Sequence, residues 1–395
     1  MKLTEVVILD GARTAIGSFG GSLSSMAPAD MGTVVAREAI SRANVPAEDI
    51  DHSVFGHIIT TGPQDVYLAR HIALNVGMPQ SSAALNVNRL CGSAVQSVIS
   101  AAQMIMLGDS KIALAGGAES MSQGAYLLPD ARKGLRMGDG GVVDMTLGIL
   151  SDPFGSGHMG MTAERIAAKY GLTREDLDVF SAESHRRAAN AIENGYFDSQ
   201  IVPVTVKQGR KDVEFKQDEH VRPGTTTESL SALKPVFTKD GIVTAGNASG
   251  LNDGAAAMVL TTASEAEKRG LKARGRLVGY AFAGVDPEVM GLGPIPAVRQ
   301  VLLQTGLSVA DLDVIESNEA FAAQAMAVSR ELGLPDDKVN PNGGAVAMGH
   351  PVGATGSILI IKALAELERT GGRYGLITMC IGGGQGIALI VEHLA

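Results

Sequence analysis

Val87-Asn88-Arg89-Leu90-Cys91-Gly92-Ser93-Ala94 joins an apolar, strand-like run to a long helical pattern that reaches Met106 and stops before Gly108. A second apolar run follows, Ile112 to Ala115, and leads into Gly116-Gly117. Strand, helix, glycine stop and strand in this order predict a βαβ unit. The same alternation runs through the first 120 residues and again through residues 270 to 395, so each region predicts a largely parallel sheet. Between them, from about 121 to 245, the chain carries scattered Gly, Pro and charge. Only one helix is predicted there, Glu164 to Asn194, and the region reads as an insertion lying over the sheet domains.

The outer regions echo each other. Arg37-Glu38 to Asp49-Ile50-Asp51 aligns with Arg299-Gln300 to Asp311-Leu312-Asp313 at a constant offset of 262. The unit around Cys91 has a counterpart around His350: a helix from about Gly353 to Arg369, a stop at Gly371-Gly372, and a strand Tyr374 to Met379 that leads into Cys380. Duplication of one ancestral half explains this; chance likeness between two βαβ units is the alternative. A true duplication would stack the two central helices and bring Cys91 and His350 to related loops at one end of the sheets.

Composition narrows the function classes. A chain of 395 residues exceeds what one core organises, so two or three structural units are expected. The 49 glycines, about 12% against a usual ~7%, predict tight turns and close backbone approaches. A net charge of −9 argues against nucleic-acid binding, and any anionic substrate must be attracted locally. The two cysteines lie too far apart in sequence for a metal-ligand spacing and are too few for a disulfide scaffold. Met1 to Glu5 passes straight into strand-like Val6-Val7-Ile8-Leu9, no run of 18 apolar residues occurs, and His393-Leu394-Ala395 is not a peroxisomal address. A cytoplasmic location without a membrane partner is the expectation.

Cys91 is the candidate nucleophile. A helix N-terminus presents unpaired N–H groups and a positive dipole end, which should favour thiolate over thiol, although a lone cysteine is also a good small core residue. His350 sits in a Gly-His-Pro-x-Gly turn just before a helix, where a base could approach a substrate; in isolation it also reads as a turn histidine bonded to nearby backbone. The run Gly382-Gly383-Gly384 has the wrong spacing for a dinucleotide loop, and Ile387 to Val391 after it reads as a strand. Asn318, followed by Glu319 and an apolar periodic run, reads as a helix cap.

Taken together, the Cys91 segment, Asn318-Glu319-Ala320-Phe321, Gly349-His350-Pro351 and Met379-Cys380-Ile381-Gly382-Gly383-Gly384-Gln385-Gly386 resemble the thiolases, and among them the acetyl-CoA acetyltransferases, from about residue 3 to the end. The resemblance implies an α/β thiolase fold: duplicated βαβ halves forming a five-layered α-β-α-β-α core with an inserted loop domain. Residues 1–120 with about 246–270 would be the N-terminal half, 121–245 the inserted domain that binds coenzyme A, and 271–395 the C-terminal half. It also implies reversible condensation of two acetyl-CoA to acetoacetyl-CoA and CoA through an acyl-cysteine. Cys91 would carry the acyl group, His350 would be its base, and Cys380 would relay the second proton. Asn318 would orient a water in one oxyanion hole with the histidine, and the N–H groups of Cys91 and Gly382 would form the other.

For the CoA moiety, residues 207 to 222 hold Lys207, Arg210, Lys211, Lys216 and Arg222 but also four acids, so charge alone reads as a surface loop. The resemblance singles out Arg222 and Ser249 as CoA contacts. Ser229, Leu233, Ala245, His158, Met159 and Phe321 would line the tunnel, and Met290 the acyl end. It implies no cofactor and no metal, since CoA thioesters are substrates, and a homodimer or homotetramer, with Gly124 to Ser156 as a possible tetramer contact. Two alternatives stay open: a 3-ketoacyl-CoA thiolase of broader chain length, and a non-catalytic CoA-binding protein of the same fold.

Overall fold

The computed structural model describes residues 4–394. Nine strands form the main sheet: β1 Val6–Arg13, β2 His52–Gly56, β3 Ala83–Val87, β4 Ile112–Ser120, β5 Asn252–Thr262, β6 Gly275–Gly284, β7 Val314–Ser317, β8 Tyr374–Ile381 and β9 Gln385–His393. Their order is β7-β8-β9-β6-β1-β5-β4-β2-β3, with the short Gly17–Ser18 strand on β5. Within the sheet, the two halves pair through Val7 and Ile8 of β1 against Arg276 and Gly275 of β6. β4 is buried along its whole length and β8 almost so, as expected of strands covered on both faces.

The sheets are mixed, which corrects the expectation of largely parallel ones. Only β2–β3, β2–β4 and β7–β8 run parallel. β5 returns antiparallel to β4 after the long insertion, and β9 folds back on β8 through a turn in which Gly383 and Gly384 take φ of 78° and 79°. A side chain would be strained at both positions, which explains glycine there.

The duplication is visible element by element. The short 3-10 turns begin at Ala47 and Val309, strands β2 and β7 at His52 and Val314, and strands β4 and β8 at Ile112 and Tyr374. The central helices α2, Ser93–Leu107, and α7, Thr355–Thr370, keep the same spacing of 262. Helix α7 packs on α2 and touches strands of both halves. Outside the two sheets lie α1 (Pro28–Arg42) against β1 and β5, and α5 (Pro294–Thr305) against β6 and β9. Five layers result, α-β-α-β-α. The window Leu90–Leu107 is apolar enough to cross a membrane, but α2 lies between the layers with nine of its residues buried.

Residues 121 to 251 leave the sheet after β4 and re-enter at β5. Where one helix was expected over Glu164–Asn194 there are two, α3 Met159–Tyr170 and α4 Arg174–Glu193. Gly171 ends the first in a left-handed cap, and Thr173 opens the second with a capping box to Asp176, a stop and a start within three residues. The insertion is tied to the sheet by a fully buried pair: Arg13 of β1 holds Asp218 through two bonds of 2.8 and 3.0 Å and stacks on Phe197. Replacing Arg13 by Leu strands the carboxylate, so we expect a loss of about 3–5 kcal/mol in urea unfolding, whereas a surface Arg186→Leu control should lose under ~1 kcal/mol.

Candidate active site

Cys91 lies one residue before the N-cap Gly92 of α2, in a turn where Leu90 adopts a left-handed φ of 46°. Side chains hold that strained backbone: Asn88 accepts the Leu90 N–H at 3.0 Å, and the Ser93 hydroxyl accepts the Arg89 N–H at 2.9 Å while donating to Leu90 O at 2.6 Å. The sulfur does not show the expected acidity. Burial pushes the Cys91 thiol up to about 11, against the opposing pull of the Gly382 and Cys91 N–H groups. In a dry site, loss of hydration outweighs the helix end.

His350 lies at the end of a short helix, Ala345–Met348, where Gly349 turns at φ 101°. A Cβ at Gly349 would fall 2.3 Å from the Asn252 amide carbon, and Asn252 accepts the His350 N–H at 2.9 Å. The imidazole Nδ1 meets the Thr355 hydroxyl at 2.7 Å, and that hydroxyl donates to Pro351 O. The hydroxyl therefore accepts from Nδ1–H, which leaves Nε2 unprotonated and able to take a proton. Burial holds His350 down, to about 4. Thiol and imidazole are thus both neutral at pH 7.

Asn318 is buried beside the imidazole, with its amide nitrogen 3.4 Å from His350 Nε2 and its Oδ1 unpaired. It is not a helix cap. The next helix, α6 (Ala322–Leu332), begins only four residues later, with Phe321 as its N-cap residue. Cys380, in β8, is buried and raised, by burial first and by Cys91 second. Gly382 starts the β8–β9 turn, where a Cβ would sit 3.2 Å from Met159 Cε and 3.3 Å from Leu90 Cδ1.

One apolar cavity of about 60 Å³ gathers Cys91, His350, Cys380, Gly382, Met159, Ser249, Met290 and Phe321. Ile58, Leu90, Ile149, Leu150, Ala320 and Val352 complete its walls, and their aliphatic character carried no signal in the sequence. Ser249 is fixed by its N–H to Ala320 O. His158 stands one step outside: it caps α3 by accepting the Gly160 N–H and stacks at 4.7 Å on Phe237, which meets Phe321 edge-on. Burial lowers its pKa, so it is a neutral, polar-tipped plate. Arg222, Ser229, Leu233 and Ala245 do not reach the cavity and are exposed on the insertion. Thr355, Asn252 and Phe237 were missed by sequence reasoning. Of these, only Thr355, five residues after His350 and opening α7, could have been found.

A larger hollow of about 620 Å³ lies between α4 and α6, away from both cysteines. Two of its acids are already engaged: Glu183 binds Arg186 and Arg187, and Glu319 takes bonds from Ser184, Asn340 and the Val346 N–H. Among the described residues no cluster of His, Cys, Asp or Glu could hold a metal.

Residues 6–264 match the thiolase N-terminal domain family and residues 271–393 the thiolase C-terminal domain family. The chain belongs to the thiolase family. It is 57% identical to beta-ketothiolase BktB of Cupriavidus necator over 391 residues, 99% of each chain. The acetyl-CoA acetyltransferase structure from Bacillus anthracis superposes with a TM-score of 0.97 at 44% identity, covering 99% of each chain. Human mitochondrial 3-ketoacyl-CoA thiolase in complex with CoA superposes at 0.96 and 41% identity, covering 99% of this chain and 98% of that one.

A neutral resting pair has a measurable consequence. Because the thiolate fraction of Cys91 grows until the pH nears its raised pKa, iodoacetamide alkylation should accelerate about tenfold per pH unit between pH 7 and 9. Peptide mass mapping at Cys91 reads the rate, and a plateau near pH 7 would contradict the neutral pair.

Proposed function

We propose that the protein is an acetyl-CoA C-acetyltransferase that condenses two acetyl-CoA reversibly to acetoacetyl-CoA and CoA. The observation that carries this is the convergence of two sulfurs and one imidazole on a single apolar cavity, although His350 and Cys380 lie 259 and 289 positions after Cys91 in sequence. His350 Nε2 takes the Cys91 proton as the sulfur attacks the thioester carbonyl, and CoA leaves as its thiol on receiving that proton. With His350 neutral again, its Nε2 takes the Cys380 proton, and the resulting thiolate removes a methyl proton from a second acetyl-CoA, whose carbanion attacks the acyl-cysteine. The C–S bond to Cys91 breaks as the C–C bond forms, and the leaving sulfur takes its proton back from His350. The N–H groups of Cys91 and Gly382 hold one oxyanion, and His350 with an Asn318-bound water holds the other.

Several features support the finer points. The cavity is well below the ~150 Å³ that admits benzene, which favours a two-carbon acyl group over a long chain. Met290 closes that end. We assign CoA to the insertion, with the pantetheine past Ser249 and the Phe237–His158 stack and the phosphates near exposed Arg222, and with Ser229, Leu233 and Ala245, which are likewise exposed, as its other contacts. We divide the chain into an N-terminal half, 1–120 with about 246–270, an inserted domain, 121–245, and a C-terminal half, 271–395. The catalyst works in the cytoplasm.

Incubation with acetyl-CoA and whole-protein mass should show one acetyl on Cys91. Cys91→Ser should lose adduct and turnover, by at least about 10³-fold, while Cys380→Ser should keep the adduct and lose condensation. Equal loss of adduct in both would break this division of labour, and faster turnover of long 3-ketoacyl-CoA than of acetoacetyl-CoA would favour the broader thiolase.

We infer assembly as a homotetramer, and an apolar surface supports that reading: Tyr126, Leu127, Leu128, Leu135, Val142 and Leu147 are all roughly half or more exposed in one segment. Sedimentation should give about four times the 40.8 kDa chain mass, and Leu128→Glu with Leu135→Glu should reduce it to dimer.

A further inference from the structure

Glu119 is fully buried near the end of β4, and no step above uses it. Its carboxylate accepts the N–H groups of Ile58 at 3.2 Å and Ile59 at 3.0 Å, and the Gly353 N–H lies close enough to pull its pKa down. A Cβ on Gly353 would lie 2.4 Å from Glu119 Oε2, so the loop that carries His350 closes directly onto this carboxylate. Ile58 and Val352, which line the cavity beside Cys91 and His350, are thereby fixed through their own or the adjacent backbone. One side chain thus spans the seam between the halves, immediately behind the cavity walls.

His57 backs the carboxylate. Its Nδ1 donates to Ala118 O at 3.0 Å and lies 3.3 Å from Glu119 Oε1, while Nε2 faces Asp65 Oδ2 at 3.5 Å. Asp65 in turn accepts the Thr61 hydroxyl and the N–H groups of Thr61 and Gly62. Burial opposes the charge on His57, yet its contacts with Asp65 and Glu119 outweigh that and raise it to about 8. Burial raises Glu119 to about 7, with His57 and the loop N–H groups pulling the other way. Other charged groups near the seam are engaged elsewhere: Asp253 on neighbouring β5 bonds Ser120 and Ser122, and Arg89 stacks on Phe282. The titratable group against Glu119 is therefore His57, with Asp65 behind it, and Glu119 acts on Cys91 through charge, adding to the burial that disfavours its thiolate.

We propose that Glu119 is a positioning residue for acyl transfer: backed by His57, it clamps the Ile58–Ile59 and Gly353 backbones across the seam behind the cavity wall, and from there its negative charge adds to burial in holding the proton on Cys91 until His350 takes it. The proposal rests on the reading of Cys91 as the acyl carrier. Glu119→Gln keeps the size and an acceptor oxygen but removes the charge. Its Cys91 alkylation by iodoacetamide should be at least about threefold faster than wild type at pH 8.5, the equivalent of half a pH unit. Glu119→Asp keeps the charge with a shorter reach, so its alkylation curve should overlay wild type while the rate of Cys91 acetylation by acetyl-CoA falls at least about tenfold.

Superimposable alkylation curves for wild type and E119Q would overturn the proposal, since a purely structural side chain leaves them in place. A curve for E119D displaced as far as that of E119Q would overturn it too, and if E119Q does not fold, the E119D comparison with wild type decides alone. Failure of the functional reading shows separately, as wild-type protein that takes no acetyl group on Cys91.

Discussion

Backbone contact between the two halves is the constraint on which the site depends. Cys91 comes from one half, and His350, Cys380 and Asn318 come from the other, so chemistry between them requires the central helices to meet closely at their N-terminal ends. Glycines make this possible: a Cβ at Gly117 would fall 2.0 Å from Gly353 O, and one at Gly356 would fall 2.5 Å from the Val95 amide nitrogen. Neither neighbour is a flexible side chain that could move aside. The excess of glycine in the composition therefore has a specific cause at the seam, where a single methyl group would push nucleophile and base apart.

Close packing also sets the electrostatics. The same exclusion of water that aligns the groups raises Cys91 and Cys380 and lowers His350, so the site rests with its protons on sulfur. Helix α2 contributes N–H groups near Cys91, but the thiolate is not the resting form. This suits a nucleophile that must later leave: a sulfur that becomes anionic only as its proton moves to imidazole does not sit as a standing charge in an apolar pocket.

Much of this was legible in the chain. The offset of 262 between Arg37–Asp51 and Arg299–Asp313 announced the duplication, and the structure extends that spacing through α2 and α7 and through β4 and β8. The four motif segments named the residues that now share a cavity. What failed was whatever depends on long-range pairing or on burial. Strand direction could not be read because β5 reaches β4 only after an insertion of over a hundred residues, and the acidity of Cys91 could not because desolvation is a property of the packed site. Glu119, His57 and Asp65 stayed hidden for a similar reason: each is an unremarkable polar residue until two loops close over it.

The pattern of support around the site divides between base and nucleophile. Around His350 the orienting groups are neutral: the Thr355 hydroxyl fixes the tautomer, and the Asn252 amide, from β5, holds the backbone N–H, neither adding charge. On the N-terminal side, the wall beside Cys91 is braced by charged groups, Glu119 between His57 and the Gly353 N–H. A charged brace next to imidazole would raise its pKa and blunt it as a base, whereas a carboxylate near a thiol only strengthens the thiol's hold on its proton. The arrangement therefore keeps formal charge on the side where it delays ionisation and off the side that must accept the proton. Proton transfer from Cys91 to His350 then becomes coupled to attack on a bound thioester, because neither group gains by ionising alone.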